Sequence, residues 1–197
     1  MSGAQPNRRL RTRRDLLDAA ARLLRDGRTP TFDEIAEAAM VSRATAYRYF
    51  PGLDAILLEA ALHMETPTPE ALFADPQAPA DALARVEALD AALSAMMRAN
   101  EAPLRALLAQ TVMRSGDPDA PVRQNRRGPL VAAALDGARP PLPPAGRDRL
   151  AKALPVLLGI EARVVFRDVL GVDDAEADRV RRWMIRTLVN AAATPSA

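Results

Sequence analysis

The sequence predicts an all-α protein, and three observations carry that expectation. Apolar residues recur at three-and-four spacing in one segment after another, no run alternates as a half-buried strand would, and proline and glycine punctuate the segments. A chain of 197 residues, 49% of them apolar, can bury one mid-sized core or two small ones.

Residues 1–9 lack periodicity and are expected to form a disordered arm. From Leu10 to Asp26, Leu16, Leu17, Ala20, Leu23 and Leu24 mark an amphipathic helix, with Gly27 placed as its stop. Thr31-Phe32-Asp33-Glu34 reads as a capping box, opening a helix from Phe32 to about Ala39 whose buried face is Phe32, Ile35, Ala36 and Ala39. Ser42 is a second N-cap only three residues later, and nothing breaks the following Arg43 to Phe50 before Pro51-Gly52. Helices this short are marginal alone and need the first helix as a packing partner. A fourth helix is expected from Leu53 to Met64, with Ile56, Leu57, Ala60 and Ala61 at helical spacing.

Thr66 to Pro79 holds four prolines and reads as an irregular connection, with a short turn at Glu70 to Phe73. Further helices are expected at Asp81 to Arg98, Ala102 to Arg114, Pro118 to Leu135, Gly146 to Leu170 and Asp173 to Ala193, about nine helices in all. The last opens with Asp173-Asp174-Ala175-Glu176, another box, and Gly171 separates it from its predecessor. Gly137 to Gly146 is a proline-rich loop, and Pro155 should kink its helix or mark the true start. The expected division is an N-terminal helix-turn-helix domain at 1–58 and a larger helical domain at 59–197.

Composition removes several function classes. There is no cysteine and a single histidine, His63, so disulfides, thiolate metal sites and imidazole chemistry have little to stand on. No cofactor, metal site or catalytic residue is expected, because no nucleophile, base and orienting group can be named. No stretch approaches the roughly 20 apolar residues of a membrane span, and a cytoplasmic protein without membrane contact is expected. Net charge is +2, but ten arginines fall within the first fifty residues and outnumber the carboxylates there. A basic end on a nearly neutral chain suits attraction to a phosphate backbone.

Helix, tight turn, helix is the geometry that lays a second helix in the major groove of DNA. Ala46 and Phe50, four apart, can face inward, which turns Arg43, Ala44, Thr45, Tyr47, Arg48 and Tyr49 largely outward. Arginine can bond a guanine edge or a phosphate, threonine and alanine methyls suit the thymine methyl, and tyrosine hydroxyls can donate to phosphate. Tyr47 and Phe50 also suit packing, and Phe50 is assigned to the core.

At this point the chain resembles the tetracycline-repressor (TetR) family of bacterial regulators. The matching stretch is T-F-D-E-I-A-E-A-A-M-V-S-R-A-T-A-Y-R-Y-F-P-G-L-D-A-I-L, Thr31 to Leu57, in which a valine-serine turn precedes a helix ending tyrosine, two residues, phenylalanine. Past residue 65 the likeness is architectural. The resemblance implies a ligand-responsive repressor that releases a palindromic double-stranded operator, with Thr31 and N-terminal arginines on flanking phosphates. It implies a homodimer through the last two helices, at Leu157, Val164, Val165, Val180, Trp183, Met184 and Thr187. It also implies a small-molecule effector in a cavity near Met96, Met97, Leu107, Gln110, Met113, Glu161 and Phe166, although each of these would equally serve as ordinary core. Two positions depart from the family pattern: Met40 stands where glycine is usual, and Leu53 where a phosphate-contacting lysine is common. Met40 should strain a turn that favours positive φ. The alternative reading is a TetR-like helical interaction protein with weak or no DNA binding, regulated by a protein partner.

Overall fold

The computed structural model describes residues 4–26, 28–75, 77–113 and 125–194, and all regular structure among them is helical. These residues divide into two compact units, one holding 4–66 and 109–113, the other 67–108 and 125–194. The division falls at Thr66, not after Leu58, because the fourth helix packs along the first.

In the first unit α1 spans Ala4–Arg25, α2 Phe32–Ala38, α3 Arg43–Tyr47 and α4 Leu53–Glu65. The described part of the expected disordered arm is instead helical: α1 begins at Ala4, with Pro6 in its opening turn, where proline is tolerated. Arginine-rich sequence needs no apolar periodicity to be helical, since straight-chain residues lose little freedom in a helix. The expected stop at Gly27 lies outside the described residues. The core brings Leu16, Leu17 and Ala20 of α1 against Phe32, Ile35, Ala36, Ala46, Phe50, Ile56 and Ala60.

The second unit contains α5 (Pro69–Phe73), α6 (Ala82–Ala99), α8 (Arg127–Asp136), α9 (Pro144–Leu157), α10 (Ile160–Val164) and α11 (Asp174–Ala193), with α7 (Glu101–Met113) contributing up to Leu108. The helix expected from Pro118 begins only at Arg127 among the described residues. The helix expected over 146–170 is a correction of another kind, because it breaks into α9, α10 and a single π turn at Val165–Val169. Pro155 lies inside α9 and supplies no N–H, and the helix ends two residues later. Arg127 fills the break, donating to the Pro155 carbonyl at 2.8 Å and to both carboxylate oxygens of Glu161 at 3.0 and 3.1 Å. A Cβ at Gly159 would collide with that guanidinium.

Two arginines of this unit are buried. Arg85 donates to the carbonyls of Ala133, Ala134 and Pro79 and lies over the Phe73 ring, so it satisfies the C-terminal end of α8. Arg181 of α11 donates to Asp90 (2.6 Å) and Ser94 (2.8 Å) of α6 and to Asp178 (2.7 Å). Removing one partner strands a buried charge, whereas removing the whole group does not. Asp90→Ala is therefore expected to cost about 3–5 kcal/mol, and Asp90→Leu with Arg181→Met markedly less, in chemical denaturation of the full chain.

Candidate nucleic-acid interface

The interface is built from cap chemistry. Thr31 accepts from the Glu34 amide at 3.3 Å, and the Glu34 carboxylate accepts from the Thr31 amide at 2.8 Å and its hydroxyl at 2.9 Å, completing the expected box at the start of α2. The Thr31 hydroxyl is thereby occupied in capping. Hydrogen bonding from the Thr31 backbone, then from its side chain, and the nearby Arg28 hold the Glu34 carboxyl below its ordinary value of 4.5.

The turn that follows is a Schellman motif. The Met40 amide bonds the Glu37 carbonyl at 2.8 Å and the Val41 amide the Ala36 carbonyl at 3.0 Å. Met40 occupies the left-handed position with φ 55°, where glycine is usual, and is 93% exposed. Ser42 then opens α3, accepting from the Thr45 amide at 3.1 Å and sharing a hydrogen bond with its hydroxyl. Two helices can thus follow each other with only Met40 and Val41 between the C-cap Ala39 and the N-cap Ser42.

Along the recognition helix Ala46 and Phe50 are buried, as their spacing predicts. Arg43, Ala44, Tyr47 and Arg48 are exposed, while Thr45 and Tyr49 are half-buried and Tyr49 packs on the core. Tyr47 stacks on Phe32 with ring centroids 4.3 Å apart, which fixes its hydroxyl at the surface. Arg43 donates to Asp33 at 2.8 Å and to the Tyr47 hydroxyl at 3.4 Å. Arg48 makes no ion pair among the described residues.

Sequence reasoning missed Arg13. It stands at three-and-four spacing with Leu16, Leu17 and Ala20, and this placement on the apolar face was the available signal. Its buried guanidinium pairs with Glu59 of α4 and lies 4.7 Å from the centroid of Phe50. Two of its nitrogens have no hydrogen-bond partner among the described residues, and the ring face lies against the guanidinium. A second link joins the same helices, His63 Nε2 to Asp18 at 3.0 Å.

The remaining candidates are scattered. Met97 and Phe166 are buried and Met96, Leu107 and Glu161 half-buried, with the Glu161 carboxylate held by Arg127; Met113 is 85% exposed, and the Gln110 side chain lies outside the described residues. Of the residues expected at a dimer contact, Val165, Trp183 and Thr187 are exposed, and Leu157, Val164, Val180 and Met184 half-buried.

Residues 16–60, which include all of α2, α3 and the turn between them, match the model of the bacterial regulatory proteins, tetR family. This segment is therefore a TetR-type N-terminal domain. The family is one of DNA-binding transcription regulators, which fits the exposed polar and aromatic face of α3. No curated protein and no solved structure matches the chain.

Two outcomes follow from the TetR-type domain's local chemistry. Met40→Gly relieves the left-handed strain and should raise stability by about 1 kcal/mol, read as a higher Tm. The depressed Glu34 carboxyl adds stability that is complete above its ordinary value and is lost as pH falls through its folded value. Glu34→Gln should therefore reduce stability at neutral pH and flatten the acid limb of the stability profile, the two proteins converging below the carboxylate range.

Proposed function

We propose that the chain is a ligand-responsive repressor acting as a homodimer on a palindromic operator. The observation that carries this reading is the pair of faces on the recognition segment: Ala46 and Phe50 anchor it in the core, and Arg43, Ala44, Tyr47 and Arg48 are exposed on the other side. A helix presented in this way suits major-groove readout, with arginine for guanine or phosphate and Ala44 for a thymine methyl. Thr31, Thr45 and Tyr49 complete the proposed contact set from the flanks.

The twofold partner is supported by apolar residues left exposed in the second unit. Val165 and Val169 of the π turn, Leu170 and Trp183 of α11 are all exposed, with Val180, Met184 and Thr187 beside Trp183 on one side of that helix. Paired helices of this kind close into a four-helix interface in C2 dimers. Two recognition helices in such a dimer must be separated by about 34 Å, or a multiple of it, to meet successive half-sites. An effector bound in the second unit, where Met96 and Met97 offer adaptable apolar surface, would act by altering that separation. A displaced α4 would carry α1 and α3 with it, because Arg13 joins Glu59 and Phe50. The effector, the dimer and a cytoplasmic location are parts of this proposal.

Mobility shift on the DNA upstream of the chain's own coding region tests the reading directly, and no shift at low salt would overturn it. Arg48→Ala is expected to weaken binding and lower the slope of log affinity against log salt by about one unit. Trp183→Glu is expected to convert a dimer to a monomer in sedimentation without unfolding the first unit; an unchanged mass would remove that face from the interface.

A further inference from the structure

Two arginines face outward on the recognition segment, and their surroundings differ. Arg48 is exposed and makes no ion pair among the described residues. Arg43 is held from two elements. Its Nη1 donates to Asp33 of α2 at 2.8 Å, its Nη2 to the Tyr47 hydroxyl at 3.4 Å, and the guanidinium carbon lies 5.6 Å from the Tyr47 ring centroid. Tyr47 is itself stacked on Phe32, the residue before Asp33, so both supports of Arg43 trace back to the first turn of α2. Glu37, one turn beyond Asp33 on α2, is exposed and pairs with no arginine among the described residues.

The Asp33 carboxylate alters what Arg43 can bind. A free guanidinium takes either a phosphate or the O6 and N7 acceptors of guanine. A phosphate carries charge of the same sign as Asp33, so it must displace the carboxylate or settle beside it, and either course gives back part of the attraction. The guanine edge is uncharged and meets no such repulsion. Neither bond of Arg43 uses Nε, and with the side chain 61% exposed its remaining N–H groups stay open for a bidentate contact. Breaking so exposed a pair costs the fold little. The carboxylate acts instead on the balance between the two ligands, by up to about fivefold against phosphate, the upper worth of a surface ion pair.

We propose that Asp33 is a specificity-determining residue: it holds Arg43 ready for a guanine edge and disfavours its use as a general phosphate contact. This role rests on the DNA-binding reading above and divides the labour of the exposed face, Arg48 meeting the backbone and Arg43 a base. Without the Asp33 charge, Arg43 becomes a second phosphate ligand. The chain then gains affinity for any duplex and loses discrimination between duplexes.

The test uses the full chain and a random-sequence duplex of about 40 base pairs, with binding followed by fluorescence anisotropy between about 50 and 200 mM salt. In Asp33→Asn the affinity should rise about two- to fivefold at the lower salt, and the slope of log affinity against log salt should steepen by about 0.9, one added phosphate. Arg43→Ala should leave the slope near that of the wild type. D33N/R43A should match R43A, because the carboxylate acts through that guanidinium. Glu37→Gln removes the same charge from the same helix and should leave the slope unchanged. Selection from a duplex library randomised over about 20 base pairs, enough for two half-sites, supplies a second readout. A guanine preferred by the wild type should be lost in R43A and weakened in D33N. Circular dichroism melting checks that each variant folds. An unchanged slope and base preference in D33N would overturn the role of Asp33 while leaving the DNA reading intact. A gain that persists in D33N/R43A, or that E37Q reproduces, would also overturn it, pointing to net charge alone. A wild-type chain that fails to bind duplex at low salt would overturn both.

Discussion

The first unit depends on how a helix of five residues is held in place. A segment such as Arg43–Tyr47 closes too few hydrogen bonds to offset the entropy of ordering it. Its persistence comes from three attachments: the Ser42 cap at its start, Ala46 at its middle, and Phe50 just past its end. Phe50 is in turn covered by the Arg13 guanidinium, itself tied to Glu59. The recognition surface can consist of polar and aromatic groups because its main anchors, Ala46 and Phe50, lie on the inward side.

That arrangement separates two kinds of charge. Arg13 and Arg181 are buried and act on the fold, each drawing two helices together through a carboxylate. Arg8, Arg11, Arg14 and Arg48 are exposed and pair with no carboxylate among the described residues. Arg43 and Arg28 stand between, paired at the surface with Asp33 and Glu34. Exposed pairs of this kind add little stability, so they can be exchanged for phosphate at low cost. Composition alone counts all of these as one basic patch; only the fold sorts them.

The parts legible in the sequence are those with a local cause. The box at Thr31–Glu34, the Ser42 and Asp173 caps and the inward pair Ala46 and Phe50 follow from residues three or four apart. The positive φ at Met40 follows from its place after α2. What was not legible has non-local causes. The opening of α1 carries no apolar periodicity, and the break after Leu157 depends on Arg127, 28 residues before the carbonyl it bonds. The spacing of Arg13 marks the apolar face, but its partners Phe50 and Glu59 come from distant sequence.

α11 shows the same limit in its sharpest form. Apolar spacing gives no reason to place Arg181 inside, yet Arg181 is 8% exposed while Trp183, expected at a dimer contact, is 66% exposed. The two lie about 200° apart around a helix, so one choice enforces the other. Asp90, Ser94 and Asp178 together meet enough of the guanidinium's donors to make burial of Arg181 tolerable. The same rotation leaves the large apolar ring of Trp183 in water. In the proposed homodimer, covering Trp183, Val165 and Val169 with a second copy would return that apolar area to a buried environment, and the inward Arg181 would set the rotation of α11 that presents the face.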